Sequence, residues 1–428
     1  MQRHEHLSDV SPFVAQQKRL YKPCGKPGGS TALANHSLQN PFFFCYHSKR
    51  MLWPENTGKK EKTMAHNPGY VPSSPFQKPL TDAHMRLFRE MPKTELHCHL
   101  LGTVRKQTFT ELARKANAPM TREDIEEFYT RGEKPVGVLR ILRALDEHVI
   151  KESADLFRLA YEYLEDAAAH GVRYSEFFWN PTGTARVSRI PYPEAQAAIV
   201  RAIRQAERDF AITGRLLPSI DREADPDEAV ALVAWMRANP APEVIGVGID
   251  YRENDRPPEL FWKAWRMARE AGYKITIHAG EFGMPWRNVE TAVTLLECDR
   301  VDHGYTIVDN PDFAAFCREK DLIFTVVPTN SYYLRTLPPE RWALDHPIRK
   351  MVAMGLRVHP NTDDPAYHHV TPTEAWLLMY AFLGISLNDL RACLINGIDG
   401  AFADDAIKRQ WKEEWPSKFD ELAAGIAE

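Results

Sequence analysis

The 428-residue chain lacks the features that mark membrane-spanning, disulfide-stabilised and nucleic-acid-binding proteins. No apolar run approaches the ~20 residues that cross a bilayer. The formal net charge of -4 gives no overall attraction to nucleic acid or to an anionic membrane. The cysteines form no C-x-x-C pair, which is typical of free thiols in a reducing compartment. We therefore expect the protein to be located in the cytoplasm. The six cysteines are Cys24, Cys45, Cys98, Cys298, Cys317 and Cys393.

The first 80 residues differ from the rest in charge and in patterning. They carry 11 Lys and Arg against 4 Asp and Glu, with Pro-Gly and Gly-Gly breakers and no sustained helical or strand period. We therefore expect residues 1–80 to be a basic, disordered extension and residues 81–428 to form the folded domain. A transit peptide is the alternative for this stretch, and Met64 offers an alternative initiator.

Beyond the extension, short apolar runs alternate with longer amphipathic segments. This alternation predicts an α/β fold with parallel strands, and eight strand candidates fit a closed (β/α)8 TIM barrel. A doubly wound open sheet is the alternative. Residues 103–169 look helical and too long for one crossover, so they predict a helical cap inserted after strand 1. The strand candidates are 94–101, 172–179, 215–220, 244–251, 274–279, 300–307, 322–327 and 356–360.

Histidines and carboxylates stand at the carboxyl ends of four predicted strands, and that face of a barrel holds the active site. His97 and His99 are two residues apart, so they point the same way from strand 1. They thus provide two imidazoles at one place, as a metal site needs. His278 ends strand 5, and Glu281 follows three residues later. Two histidines on a half-exposed strand remain the alternative explanation for the first pair.

Strands 6 and 8 add further candidates. His303 follows Asp302 in strand 6, where a neutral imidazole could orient or deprotonate a water on the metal. Asp363 and Asp364 end strand 8, and adjacent carboxylates repel unless a cation or solvent compensates them. A solvated Asp-Asp-Pro turn is the alternative at this position.

Together these motifs resemble the adenosine deaminase family of metal-dependent hydrolases, over residues 91–404. The resemblance implies one zinc ion per chain and removal of the 6-amino group of an adenine-type purine, a small molecule. The matching motifs are Pro92-Lys93-Thr94-Glu95-Leu96-His97-Cys98-His99-Leu100 with Gly102, His278-Ala279-Gly280-Glu281, Asp302-His303-Gly304 and Asn361-Thr362-Asp363-Asp364-Pro365.

The resemblance also implies a role for each matched residue. Glu281 would protonate ring N1, His303 would hold and help deprotonate the attacking water, and Asp364 would bond N7. The backbone N–H near Glu253 would contact N3. Zinc would lower the pKa of a water toward ~7. The implied zinc ligands are His97, His99, His278 and Asp363.

Three departures from the family pattern concern the substrate. Leu101 stands where an acid usually contacts the ribose 5′-hydroxyl, which argues against free adenosine. Glu253 replaces a usual glycine, and its surroundings look closer to the adenine deaminase branch, which acts on the free base. The third departure is that Arg252, Arg287, His368 and His369 could contact an anionic substituent or could lie on the surface. Two other hypotheses stay open: a different barrel metallohydrolase acting on a cyclic amide, and a binding protein that keeps the fold without catalysis.

Overall fold

The computed structural model describes residues 71–131 and 137–426, and they form the predicted (β/α)8 barrel. Eight parallel strands lie in sequence order, each paired with the next along the chain. The strands are β1 Lys93–Glu95, β2 Val172–Trp179, β3 Thr213–Asp221, β4 Gly246–Asp250, β5 Lys274–Ala279, β6 Arg300–His303, β7 Ile323–Val326 and β8 Arg357–Pro360.

The first and last strands meet at a seam that carries functional residues. Past the end of each strand, Cys98 and Asp363 form a parallel bridge. The His99 N–H donates to the Asp363 carbonyl at 2.8 Å, and the Asp363 N–H donates to the His97 carbonyl at 3.0 Å. Closure of the barrel therefore brings the residues after β1 against the residues after β8.

Helices cover the outside of the barrel, so most strand residues are buried on both faces. Side-chain caps define several starts: Asn310 and Thr371 each accept a backbone N–H, with a proline at the next position. The helices are α1 Asp82–Glu90, α2 Lys106–Lys115, α3 Arg122–Phe128, α4 Val138–Ala144, α5 Ser153–Ala169, α6 Pro181–Gly183, α7 Tyr192–Phe210, α8 Pro226–Ala238, α9 Trp262–Glu270, α10 Arg287–Glu290, α11 Pro311–Glu319, α12 Ser331–Thr336, α13 Trp342–Asp345, α14 Pro347–Ala353, α15 Pro365–His368, α16 Pro372–Ala381, α17 Leu387–Gly400 and α18 Asp405–Ala423.

The predicted insertion after strand 1 is helical and contains α2 to α5. Arg131, between α3 and α4, is buried and donates to the carbonyls of Thr329 at 2.7 Å and Tyr367 at 3.0 Å. Those carbonyls belong to the segments that follow β7 and β8. The insertion is thus anchored over the carboxyl end of the barrel, where the candidate site residues lie.

Two predicted elements differ from the structure, and one helix lies beyond the predictions. The first strand ends at Glu95, and a 3-10 helix, Leu100–Thr103, follows the seam. The sixth strand ends at His303, because His303 and Gly304 adopt φ values of 67° and 72°, which lie outside the extended conformation of a strand. No prediction was made for the segment that forms helix α18, which contains Pro416.

The predicted extension is described only from Val71 onward, so residues 1–70 of that prediction lie outside the described residues. Val71 is buried, the Ser74 hydroxyl donates to the Phe382 carbonyl at 2.5 Å, and the Lys78 N–H donates to the Ala381 carbonyl at 3.1 Å. The last part of the extension therefore packs against the end of α16. None of the described helices combines the length and apolar character needed to cross a membrane.

Candidate active site

Three imidazole nitrogens and one carboxylate oxygen converge at the carboxyl end of the barrel. His97 and His99 follow β1, His278 lies in β5 and Asp363 follows β8. The Nε2 atom of His99 lies 3.2 Å from Nε2 of His278 and 3.2 Å from Oδ1 of Asp363. Nε2 of His97 lies 3.6 Å from the same oxygen. The structure thus brings together the four residues that the motifs suggested as metal ligands.

A hydrogen bond behind His97 and a close carboxylate behind His278 indicate which ring nitrogen faces the other candidate ligands. The Thr325 hydroxyl donates to Oδ1 of Asp302 at 2.7 Å, so its oxygen accepts the Nδ1–H of His97 at 3.1 Å. Nδ1 of His278 lies 3.2 Å from Oδ2 of Asp302. Both rings therefore carry their proton on Nδ1 and turn the Nε2 lone pair toward the cluster.

The residues of this cluster fit a zinc ion. Nε2 of His97 is buried and has no hydrogen-bond partner, which is costly unless a cation takes its lone pair. The Nε2 atoms of His99 and His278 lie only 3.2 Å apart, so a shared proton or a cation must lie between their lone pairs, and a cation is able to bind both at once. Three imidazoles and one carboxylate are a ligand set that zinc accepts in tetrahedral geometry.

Glu281 lies just beyond β5, beside the cluster of four candidate metal ligands. Its Oε1 accepts the Asn330 amide at 3.0 Å, and its Oε2 lies 3.4 Å from Nε2 of His303. Burial raises the pKa of Glu281 well above its usual range, and the negative charge of Asp363 adds to the effect. The shift favours the protonated form of the carboxyl group, which is the form that is able to donate a proton.

His303 ends β6 in a left-handed conformation, with a φ of 67°, that turns its ring toward the cluster. The Tyr305 hydroxyl donates to the Val327 carbonyl at 3.2 Å, so its oxygen accepts the Nδ1–H of His303 at 3.3 Å. Burial lowers the pKa of His303 well below its usual range. The ring is therefore neutral, and its Nε2 lone pair is available as a proton acceptor.

Asp364 follows the metal cluster residue Asp363 and packs against a glycine. A Cβ atom at Gly102 would lie 2.1 Å from Oδ1 of Asp364, so only glycine leaves room for this carboxyl group. Burial raises the pKa of Asp364 well above its usual range, and the charge of Asp363 adds to the shift. Asp364 is therefore suited to donate a hydrogen bond to a ligand nitrogen.

Comparison with known proteins places this arrangement in a family. The family model described as adenosine deaminase matches residues 92–415, which include all of the site residues above. The chain belongs to the adenosine deaminase family. As a member of that family it is a hydrolase that acts on C–N bonds and depends on zinc.

Relatives within the adenosine deaminase family include enzymes named for two substrates. An adenosine deaminase of Clostridium botulinum (strain Langeland) is 28% identical, covering 76% of this chain and 97% of its own length. An adenine deaminase of Ralstonia nicotianae is 28% identical, covering 78% and 96%. The crystal structure of an amidohydrolase from Burkhoderia ambifaria with bound zinc is 63% identical, with a TM-score of 0.82, covering 82% and 97%.

In this member of the adenosine deaminase family, a cavity of about 440 Å³ opens onto the cluster. Its inner wall is polar, and the cap contributes the apolar side chains of Leu139 and Leu142. Exposed arginines from three different segments line its mouth, and no lysine is among the lining residues of the described chain. These arginines are Arg140, Arg252 and Arg335.

Two residues suggested as substrate contacts do not line this cavity with their side chains. Leu101 is buried in the hydrophobic core, with 5% of its surface exposed. The side chain of Glu253 is also buried, and its carboxylate accepts the backbone N–H groups of Gly280 and Glu281. The cavity wall after β4 is formed by Tyr251, Arg252 and Asn254 instead. A contact through the backbone N–H near Glu253 stays a prediction.

Sequence reasoning missed the residues that orient the site from behind, among them Thr325 and Tyr305. One signal was present: Thr325 lies in the buried strand Ile-Phe-Thr-Val, where a hydroxyl requires a hydrogen-bond partner. The partner itself is specified by the register between β6 and β7, which sets Asp302 opposite Thr325.

Proposed function

We propose that this chain removes the 6-amino group of an adenine-type purine by hydrolysis, with one zinc ion per chain. The observation that carries the proposal is the pairing of four candidate metal ligands with a buried carboxyl group whose pKa is raised. Glu281 has a raised pKa and lies at the cavity wall beside His278 and His303. A neutral acid in this position is what protonation of a purine ring nitrogen needs.

Each side chain has a task in this proposal. His97, His99, His278 and Asp363 would hold the zinc ion, which would lower the pKa of a water to about 7. His303 accepts a proton from that water through Nε2, while Glu281 donates its proton to N1 and makes C6 electrophilic. Asp364 donates a hydrogen bond to N7 and orients the ring. The water oxygen bonds to C6, the proton accepted by His303 passes to the 6-amino group, and the C6–N bond breaks to release ammonia. The remaining proton on the added oxygen returns to Glu281 as the C6 carbonyl forms.

The substrate class is narrower than the family as a whole. Leu101 is a buried core residue, so position 101 offers no polar group to a ribose hydroxyl. This favours the free base adenine or a substituted relative over adenosine. The arginines at the mouth make an anionic substituent worth testing, because Arg140, Arg252 and Arg335 come from separate segments and all line the cavity.

A panel of 6-aminopurines tests the proposal, scored for release of ammonia or, for N6-substituted adenines, of the substituted amine. The panel holds adenine, adenosine, AMP, cyclic AMP and N6-substituted adenines, and a set of cyclic amides represents the alternative metallohydrolase. We expect zinc-dependent release of ammonia or of the substituted amine from at least one aminopurine. Hydrolysis of a cyclic amide without any such release from the aminopurines would overturn the proposal. Turnover of adenosine with adenine inert would overturn only the inference from Leu101.

The cytoplasm is the proposed location, and a small-molecule purine the proposed partner. The four described cysteines are free and buried, which suits a reducing compartment. That the chain binds neither nucleic acid nor a membrane remains a prediction from its net charge of -4. Fractionation of cells followed by immunodetection checks the location, and recovery in an extracellular or membrane fraction would contradict it.

A further inference from the structure

A short turn after β5 carries Glu281, and the backbone conformation of that turn restricts which residues fit there. Gly280 adopts a φ of 68°, a conformation that favours glycine. A Cβ atom there would lie 2.5 Å from the Thr306 hydroxyl and 2.9 Å from a methyl carbon of Val289. The position of Glu281 therefore depends on the conformation of this turn, and the hydrogen bonds to its backbone help to fix that conformation.

Two buried, oppositely charged side chains supply those bonds. Glu253 is 1% exposed, and its Oε1 and Oε2 accept the N–H groups of Gly280 at 2.9 Å and Glu281 at 3.0 Å. Asn288 donates to Oε1 at 2.7 Å. Fully buried Arg222 donates to the His278 carbonyl at 2.6 Å, just before the turn, and its charge interacts with that of Glu253.

We infer that Glu253 is a positioning residue, which fixes the proton donor Glu281 through the backbone of the turn rather than by contacting the substrate. The inference rests on the proposed function, because it assigns Glu253 a part in placing that donor. Bonds to an ionised carboxylate are stronger than neutral ones, so a single side chain is able to hold two consecutive amides. Arg222 offsets the buried charge of Glu253 and holds the preceding carbonyl.

The Glu253→Gln substitution tests this role with little change in shape. The Gln amide has one acceptor oxygen instead of two, so at least one of the three donors loses its partner. We expect kcat to fall about 10- to 100-fold, the effect of misplacing a buried donor, with KM within about twofold of the wild-type value. Zinc content should stay at one ion per chain. The matched control is Glu243→Gln, a buried exchange before β4 at the opposite end of the barrel, which should leave kcat unchanged.

A double-substitution cycle with Glu281→Gln separates positioning from a general structural effect. If Glu253 acts only through Glu281, then Glu253→Gln should cause no further loss of the residual turnover of Glu281→Gln. Independent, multiplying losses would overturn the inference, and so would a changed KM with an unchanged kcat. Asn288→Ala provides a milder second variant should Glu253→Gln fold poorly. It should lower kcat about two- to tenfold, and a wild-type kcat there would contradict the inference.

The outcomes distinguish this inference from the proposed function. A wild-type enzyme that releases neither ammonia nor a substituted amine from any aminopurine would count against the proposed function itself. An active wild-type enzyme in which the two substitutions act independently would contradict only the role of Glu253.

Discussion

Asp302 is the residue whose replacement should reveal most about the metal site. It is fully buried and holds the two imidazoles from behind through both of its oxygens. Oδ1 accepts the Thr325 hydroxyl at 2.7 Å, and that hydroxyl in turn accepts His97. Oδ2 accepts the Thr276 hydroxyl at 2.8 Å and lies 3.2 Å from Nδ1 of His278.

The Asp302→Asn substitution keeps the shape and removes one acceptor and the charge. The NH2 group must then face either the Thr325 hydroxyl or Nδ1–H of His278, and either contact sets a donor against a donor. Loss of such a partner behind a metal ligand lowers metal affinity about 10- to 100-fold, or about 1.4 to 2.7 kcal/mol. His278 would also lose its preference for the tautomer that offers Nε2 to zinc.

Competition with a chromophoric chelator at equilibrium measures this change directly. The dissociation constant for zinc should rise by that factor in Asp302→Asn, and turnover should return when zinc is raised to saturation. Thr276→Val is the control, since it removes one donor to Asp302 and leaves both imidazole contacts, so its effect should stay below about threefold. A zinc dissociation constant for Asp302→Asn within twofold of the wild-type value would refute this account of the ligand geometry.

Three further predictions follow from single side chains. Glu281→Gln should keep its zinc but lower kcat at least about 100-fold, because an amide cannot protonate N1; near-normal ammonia release would contradict the role of Glu281. Gly280→Ala should lower the free energy of unfolding by about 1–3 kcal/mol, through positive φ and crowding against Thr306. Gly272 has a φ of 81° but open space around an added Cβ, so Gly272→Ala tests the effect of φ alone. If chemical denaturation shows an equal loss of unfolding free energy in Gly272→Ala, crowding is excluded as the cause of the loss in Gly280→Ala. Burial raises the pKa of Asp146 to about 8, and neither of its oxygens has a hydrogen-bond partner among the described residues. The folded protein then keeps a proton that the unfolded chain releases near pH 4, so from about pH 5 to about pH 8 the wild type should lose stability relative to Asp146→Asn. Unfolding free energies that change in parallel with pH in both proteins would contradict this.

Much of the fold follows from the alternation of apolar runs and amphipathic segments, and the barrel prediction is confirmed. The differences lie where backbone geometry overrides hydrophobic pattern. The first strand was expected to continue past His99, but a 3-10 helix begins at Leu100 after the seam with Asp363. The sixth was expected to continue past His303, where two residues of positive φ end it.

The candidate site likewise contains residues that the sequence predicts and residues that it does not. Residues at strand ends were predictable, because parallel strands deliver their carboxyl ends to one face whatever their loops do. The residues behind them were not, because their contacts depend on strand register and on side-chain rotamers. Glu253 shows the limit clearly: its place after β4 was recognised, but the direction of its side chain depends on a loop that begins with left-handed Tyr251, at a φ of 65°.

Anomalous diffraction at the zinc absorption edge, on crystals of the purified protein, is the most direct test of the central claim. The account predicts one peak per chain, about 2.0 to 2.2 Å from the ligand nitrogens and oxygen. The expected ligands are Nε2 of His97, His99 and His278 and a carboxylate oxygen of Asp363. A peak elsewhere, or aminopurine turnover undiminished after thorough metal removal, would contradict it.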